Sequence, residues 1–151
     1  MRIRTFSADD RPAWHRMRLA LWPDETPAGH EEGMIAWLAR PDAAVFLAAR
    51  ADGSVCGFIE VGARSVADGC DSSPVGYIEG WYVDADVRLS GVGRALVAAA
   101  EDWARSSGYA EMGSDALLDN IVSHDAHKRL GYTEVDRQVT FRKSLTESAR
   151  L

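Results

Sequence analysis

Apolar residues recur along this chain in two rhythms, and the switches between them outline its elements. Residues 3–6 alternate as a short strand. Ser7, with Asp10 three positions on, gives a capping-box pattern, and Pro12 falls in the first turn of a helix whose Trp14, Met17 and Leu21 share one face. Trp22-Pro23 closes that helix. A polar loop over 24–29 leads to a second helix carrying Met34, Ile35 and Leu38, closed before Pro41. Strands over 45–50 and 55–64 meet across Ala51-Asp52-Gly53, an Asp-Gly hairpin signal. The Gly-, Asp- and Ser-rich stretch 65–74 reads as a loop, 75–83 as a strand and 84–90 as a turn. Residues 91–106 predict a helix with Val92, Leu96, Ala99, Ala100 and Trp103 on one stripe, capped by Gly108. A buried strand at 109–113, a helix at 120–130 stopped by Gly131, and a last strand at 132–142 complete the series. This order predicts one α/β domain over residues 1–145 around a mixed sheet, with a tail at 146–151.

Composition narrows the class. With 151 residues, 46% of them hydrophobic, the chain is long enough to bury one full core. No apolar run approaches the ~20 residues that span a bilayer. The first residues also lack the apolar stretch and cleavage site of a signal peptide, so a cytoplasmic protein without a membrane partner is expected. Seventeen Lys and Arg against 23 Asp and Glu leave a net charge of −6, which argues against a nucleic-acid partner and is compatible with a cationic one. Cys56 sits in an apolar strand pattern and reads as core, whereas Cys70 lies in the polar loop. Neither the cysteines nor His15 and His124 have metal-ligand spacing, and no metal is expected.

The most informative stretch is a strand that runs through a turn into Arg88-Leu-Ser-Gly-Val-Gly93 at the start of a helix. Glycines there let the backbone approach a ligand closely, and the unpaired N–H groups of a helix start point at bound oxygens. Arg88 and Arg94 add charge-assisted donors. A dinucleotide loop is disfavoured because the third glycine of Gly-x-Gly-x-x-Gly is missing, and no Gly-Lys-Ser/Thr is present. The stretch resembles the pyrophosphate loop of the GCN5-related N-acetyltransferases (GNAT), Gln/Arg-x-x-Gly-x-Gly/Ala. Asn120-x-x-Ser123-x-x-x-His127-x-x-x-Gly131-Tyr132 is similar to that family's second cofactor segment, and residues 77–83 fall where its splayed strand falls.

A closer likeness covers nearly the whole chain. Leu21-Trp22-Pro23-Asp24, Ser73-Pro-Val, Glu79-Gly80-x-Tyr82-Val83, Gly113-Ser-Asp-Ala116, Asp119-Asn120 and His127-x-x-Leu-Gly together resemble the bacterial aminoglycoside 6′-N-acetyltransferases. The resemblance implies a GNAT fold: a mixed, mostly antiparallel central sheet flanked by helices, with a splayed acetyl-CoA-binding strand pair. It implies acetyl transfer from acetyl-CoA to the 6′-amine of an aminoglycoside, hence antibiotic resistance, by a homodimer. Trp81, Tyr82 and Val83 would hold the acetyl and pantetheine portion through their backbone. Arg88, Leu89, Ser90, Gly91, Val92, Gly93 and Arg94 would hold the pyrophosphate, and Asn120 the pantetheine arm. Trp22, Glu25, Val66, Glu79, Asp115 and Asp136 match positions facing the aminoglycoside, and Glu79, Asp115 and His127 match the catalytic neighbourhood. Three positions depart from the pattern: Glu25 stands where relatives often carry His, Val66 where they place an aromatic residue, and Trp81 in place of a smaller aliphatic one.

The residues themselves leave two readings for each site. Glu79 lies in an otherwise apolar strand and is either paired with an arginine on a neighbouring strand or placed for a cation. Asp115 follows a strand at its C-terminal end, where α/β sheets bind ligands, yet also suits a helix cap. Asp136 is a substrate contact or a solvated strand residue. His127 is a proton donor to a leaving thiolate or a helix residue packed on the cofactor. Trp22 plugs the core or stacks on a sugar. Beside the aminoglycoside reading stand an acetyltransferase for another small amine and a non-catalytic acyl-CoA-binding module.

Overall fold

Nearly continuous apolar runs on the central strands build a five-stranded sheet in the computed structural model, which describes residues 1–146. Strands β1 (Arg2–Thr5), β2 (Ala43–Ala49), β3 (Val55–Arg64), β4 (Val75–Val83) and β5 (Met112–Ser114) lie side by side in chain order. All neighbours are antiparallel except β4 and β5, which are parallel. Helices α1 (Arg11–Leu21), α2 (Pro27–Leu38) and α3 (Val92–Ser106) complete a first unit, Met1–Ala116; helix α4 (Ile121–Arg129) belongs to a second, Leu117–Leu151.

Burial follows the periodicities. Trp14 and Met17 of α1 and Met34 of α2 pack with Val45, Leu47 and Phe58 of the sheet in one buried cluster. Helix α3 packs against β2, β3 and β4 and buries Val92, Leu96, Val97, Ala100 and Ala104. Ala99 and Trp103, expected on that stripe, are half-buried, because the 3.6-residue repeat carries the buried line through Val97 and Ala104 instead. Trp103 meets Tyr109 edge to face at 5.8 Å, and Tyr109 N–H closes the helix on the Ala104 carbonyl. That closure consumes residues expected in the following strand, so β5 has three half-buried residues instead of a buried run from 109.

Three further expectations are corrected. Helix α2 begins at Pro27, inside the expected loop, because Thr26 caps it by accepting from Gly29 N–H and proline suits the first helical position. On that helix Met34 is buried but Ile35 and Leu38 are exposed. Residues 132–142 do not form a strand: they run largely exposed, without a sheet partner among the described residues. Alternation can mark a strand's faces, but only a pairing edge makes a strand. The tail expected at 146–151 lies outside the described residues from 147 on.

Two irregularities set β4 apart from the other strands. Its register against β3 slips between Glu60 and Val61: Gly80 faces Glu60 and Ile78 faces Val61, which leaves Glu79 as the extra residue of a bulge. On its other side β4 pairs with β5 only at Gly76, Tyr77 and Ile78. From Glu79 to Val83 the strand is joined to β3 alone, and that stretch of the β4 edge carries no partner strand among the described residues.

Candidate active site

The opened edge of β4 leads directly into the glycine-containing turn. A 3-10 turn, Ala85–Val87, is followed by Leu89 at φ 62° and Gly91 at φ 91°, both left-handed, before α3 begins. Gly91 is the N-cap and has no side chain to occupy the first amides, so the amino end of α3 presents N–H groups and the positive end of its dipole. A Cβ on Gly93 would stand 3.1 Å from Trp81, whose ring underlies the first turn of the helix. Arg88 does not extend outward: its Nε donates to the Val83 carbonyl at 2.8 Å and its guanidinium lies 5.7 Å over Tyr82.

The turn is anchored by ion pairs that sequence reasoning missed. Asp84 accepts from Arg16 of α1 at 3.0 and 3.2 Å and from Arg50 beyond β2 at 3.3 Å. Arg50 also holds Asp86 at 2.6 and 3.0 Å, which keeps that carboxyl below the usual carboxylate range. The signal was a pair of acids just past a strand end, but their partners lie 34 to 68 residues away in sequence.

Two of the predicted acids meet beside the opening. Tyr77 lies over Gly113, where a Cβ would come within 2.8 Å of its ring, and its hydroxyl donates to Asp115 Oδ2 at 2.6 Å. Burial, with the bond to Asp115, pushes the Tyr77 phenol well above its usual range, so it stays a donor. Glu79, on the bulge, accepts from Arg64 at the end of β3, Nε to Oε2 at 3.3 Å and Nη2 to Oε2 at 3.0 Å, with Nη2 also on Oε1. The Arg64 guanidinium sits 3.5 Å from the centroid of the Tyr77 ring, so Glu79, Arg64, Tyr77 and Asp115 form one cluster.

Trp22, the C-cap residue of α1, faces the same strand. Its ring fills the space over Gly80, where a Cβ would lie 2.7 Å from it. His30 stacks on it at 6.2 Å and 16°, His30 Nε2 meets the Trp22 carbonyl at 3.0 Å, and the Arg18 guanidinium lies 4.9 Å over it. Arg18 in turn pairs with Glu60, which also accepts from Trp14 Nε1 at 3.0 Å. Glu60 is 2% exposed, and burial pushes its carboxyl up against the pull of Arg18. This buried pair, flanking the bulge, also went unseen in the sequence.

Glu25 and Val66 stand on the surface of the first unit. Glu25 is exposed and its carboxylate accepts from Thr26 N–H at 2.7 Å, at the start of α2. Val66 is 74% exposed in the loop after β3. That loop is tied to Glu111, which accepts from Asp71 and Ser72 N–H at 2.8 and 2.7 Å. Asn120, His127 and Asp136 belong to the second unit. There Asn120 caps α4 by accepting from Ser123 N–H at 3.1 Å. His127 Nδ1 lies 2.7 Å from the Ser123 carbonyl, a bond that requires its proton on Nδ1. Asp136 is exposed in the extended segment. Among the described residues no group of three or more His, Cys, Asp or Glu could hold a metal.

An opened parallel strand pair, a glycine-capped helix start and adjoining acids match a known architecture. The model of the Acetyltransferase (GNAT) family matches residues 13–132. The aminoglycoside N(6′)-acetyltransferase type 1 of Stenotrophomonas maltophilia is 44% identical over 97% of this chain and 95% of its own length. Among solved structures, the aminoglycoside antibiotic 6′-N-acetyltransferase of Acinetobacter haemolyticus superposes with a TM-score of 0.89 at 35% identity, covering 97% of this chain and 100% of that one. The acetyltransferase AAC(6′)-Iy, solved with the bisubstrate analogue CoA-S-monomethyl-acetylneamine, gives 0.88 at 34% identity over 95% and 97% of the two chains. This chain belongs to the GNAT acetyltransferases and, within them, to the family of the aminoglycoside 6′-N-acetyltransferases.

Proposed function

We propose that the protein transfers the acetyl group of acetyl-CoA to the 6′-amine of aminoglycosides and so confers resistance to them. The observation that carries this reading is the β4 edge opened from Glu79 to Val83, running into an uncapped helix start on one side and bordered by two acids on the other. The fit to acetyl-CoA is local and physical. A pantetheine arm needs backbone groups to pair with, supplied by Trp81, Tyr82 and Val83; a pyrophosphate needs convergent N–H donors, supplied by 89–94. The family match over residues 13–132 spans both units, which supports residues 1–145 acting as one catalytic domain.

Acetyl-CoA supplies an activated thioester carbonyl. Attack by the neutral amine forms an N–C bond, breaks the C–S bond and moves one proton from nitrogen to the departing thiolate; the 6′-ammonium first gives up a further proton to become that amine. Glu79 and Asp115 receive the 6′-ammonium, and one of them takes its proton, directly or through water. Trp22 stacks on a sugar ring, and Glu25 and Val66 line the rest of the substrate site. A backbone N–H near Tyr82 or Val83 steadies the oxyanion. His127 hands on a proton only as the imidazolium, since its Nδ1 proton is committed to the Ser123 carbonyl. Burial pushes both thiols, Cys56 and Cys70, above the ordinary cysteine range, which favours direct attack over an acyl-cysteine intermediate.

Product analysis by NMR tests the position: acetylation of the 6′ nitrogen supports the reading, and acetylation of any other amine overturns it. The cofactor loop gives a separate prediction. Gly93→Val pushes against Trp81 from inside the first turn of α3. Overpacking of about 1–3 kcal/mol should raise the KM for acetyl-CoA roughly ten-fold, the equivalent of about 1.4 kcal/mol, with a smaller change in the KM for the aminoglycoside.

The reading includes a homodimer in the cytoplasm. Residues 132–146 expose Val135, Val139, Phe141 and Leu145, an apolar strip that a second copy would cover. Among the described residues no helix is long and apolar enough to cross a membrane. Sedimentation at micromolar concentration should give the dimer mass; a monomer contradicts this part of the reading.

A further inference from the structure

Two arginine–carboxylate pairs flank the bulge of β4, and they differ in one respect that matters for a cationic substrate. Arg18 and Glu60 are sealed, with side chains 11% and 3% exposed. Arg64 and Glu79 are open, at 43% and 23%. Arg64 is the last residue of β3, and it grips both oxygens of Glu79 in a fork while lying over the ring of Tyr77, the donor to Asp115. The acidic side of the site therefore already holds a cation.

We propose that Arg64 is a displaceable resident cation: the ammonium of the incoming aminoglycoside takes its place on Glu79, and Arg64 thereby sets the affinity for the acceptor. This rests on the reading that Glu79 faces the aminoglycoside. Three observations support the exchange. The pair is solvent-accessible, so water stabilises the guanidinium as it leaves. The arginine stem stands where β3 gives way to the loop beginning at Ser65, so the head group can swing without disturbing the sheet. Tyr77 offers the departing guanidinium an aromatic face already in contact with it. Pairing with an arginine and reception of a cation are the two readings the sequence leaves for Glu79; here the first is the resting form of the second.

The test is steady-state kinetics of Arg64→Met, Arg64→Gln and Arg64→Lys with one aminoglycoside and acetyl-CoA, across a range of ionic strength. Removing the resident cation leaves Glu79 unpaired for the substrate. The aminoglycoside KM of Arg64→Met and Arg64→Gln should fall roughly two- to five-fold, and it should rise more steeply with salt than in the wild type. The KM for acetyl-CoA should hold, and Arg64→Lys, which keeps the charge but not the fork, should fall between the wild type and the neutral variants. An aminoglycoside KM that rises or does not move in the neutral variants, with wild-type turnover intact, overturns the proposal alone; a rise that lysine cannot restore would make Arg64 a positioning residue for Glu79. Absence of wild-type turnover on any aminoglycoside overturns the underlying reading together with it.

Discussion

Arg18→Met is expected to lower the stability of the protein by about 3–5 kcal/mol, the cost typical of removing one partner of a buried ion pair. Glu60 is surrounded by core: it accepts from Arg18 and from Trp14 Nε1, and it is 2% exposed. Without Arg18 the carboxylate keeps one neutral donor and loses its countercharge. Burial already pushes the Glu60 carboxyl up, and Arg18 is what opposes that push. In the variant the folded-state carboxyl titrates still further above its unfolded value. A group raised in this way favours the fold when protonated, so the deficit should be largest near neutral pH and shrink as the pH falls toward the ordinary carboxylate range. Urea unfolding at about pH 7 and about pH 5 measures both the deficit and its pH trend. The double variant Arg18→Met/Glu60→Leu, which removes both charges, should recover most of the loss. A single variant as stable as the wild type, or a deficit that grows on acidification, would contradict this account of the pair.

Asp115→Ala carries the largest expected effect on turnover. Loss of a positioned proton acceptor removes about 10²–10⁴-fold of rate, and Asp115 is one of the two acids at the opening. The side chain is exposed, and its contact is the Tyr77 hydroxyl, so the fold should be little affected. The prediction is a fall of that order in kcat/KM for the aminoglycoside, with binding of CoA unchanged by calorimetry. A loss confined to KM would reassign Asp115 to substrate binding and leave Glu79 as the proton acceptor. Full activity would remove Asp115 from the mechanism.

Much of this was legible in the chain because it is local. The strand–turn–helix at 77–106, with Arg88 and two glycines at fixed spacing, announced the loop before any geometry was known, and the structure gives Gly91 the left-handed backbone such a turn requires. Glu79 stood out as a lone acid among apolar strand residues. Thr26-Pro27 was a readable helix start that the polar composition of 24–29 masked. Other features depend on register, which periodicity does not fix. The bulge that isolates Glu79 is a one-residue slip between β3 and β4, and the Arg18–Glu60 pair joins residues 42 apart on different elements. Glu60 gave the same signal as Glu79, an acid in an apolar strand, but which acid is sealed and which is open depends on which arginine each meets. The stretch 132–142 shows the opposite failure, where a strand-like pattern was present and a pairing edge was not.

The most direct measurement of the central claim is release of free CoA thiol from acetyl-CoA by the wild-type protein, with one amine offered at a time. The set should hold kanamycin, tobramycin, an aminoglycoside bearing a hydroxyl at 6′, spermidine and a peptide amine. The predicted result is turnover with kanamycin and tobramycin and none with the 6′-hydroxyl compound, spermidine or the peptide. Turnover confined to spermidine or the peptide, or silence on every amine while CoA still binds, would contradict it.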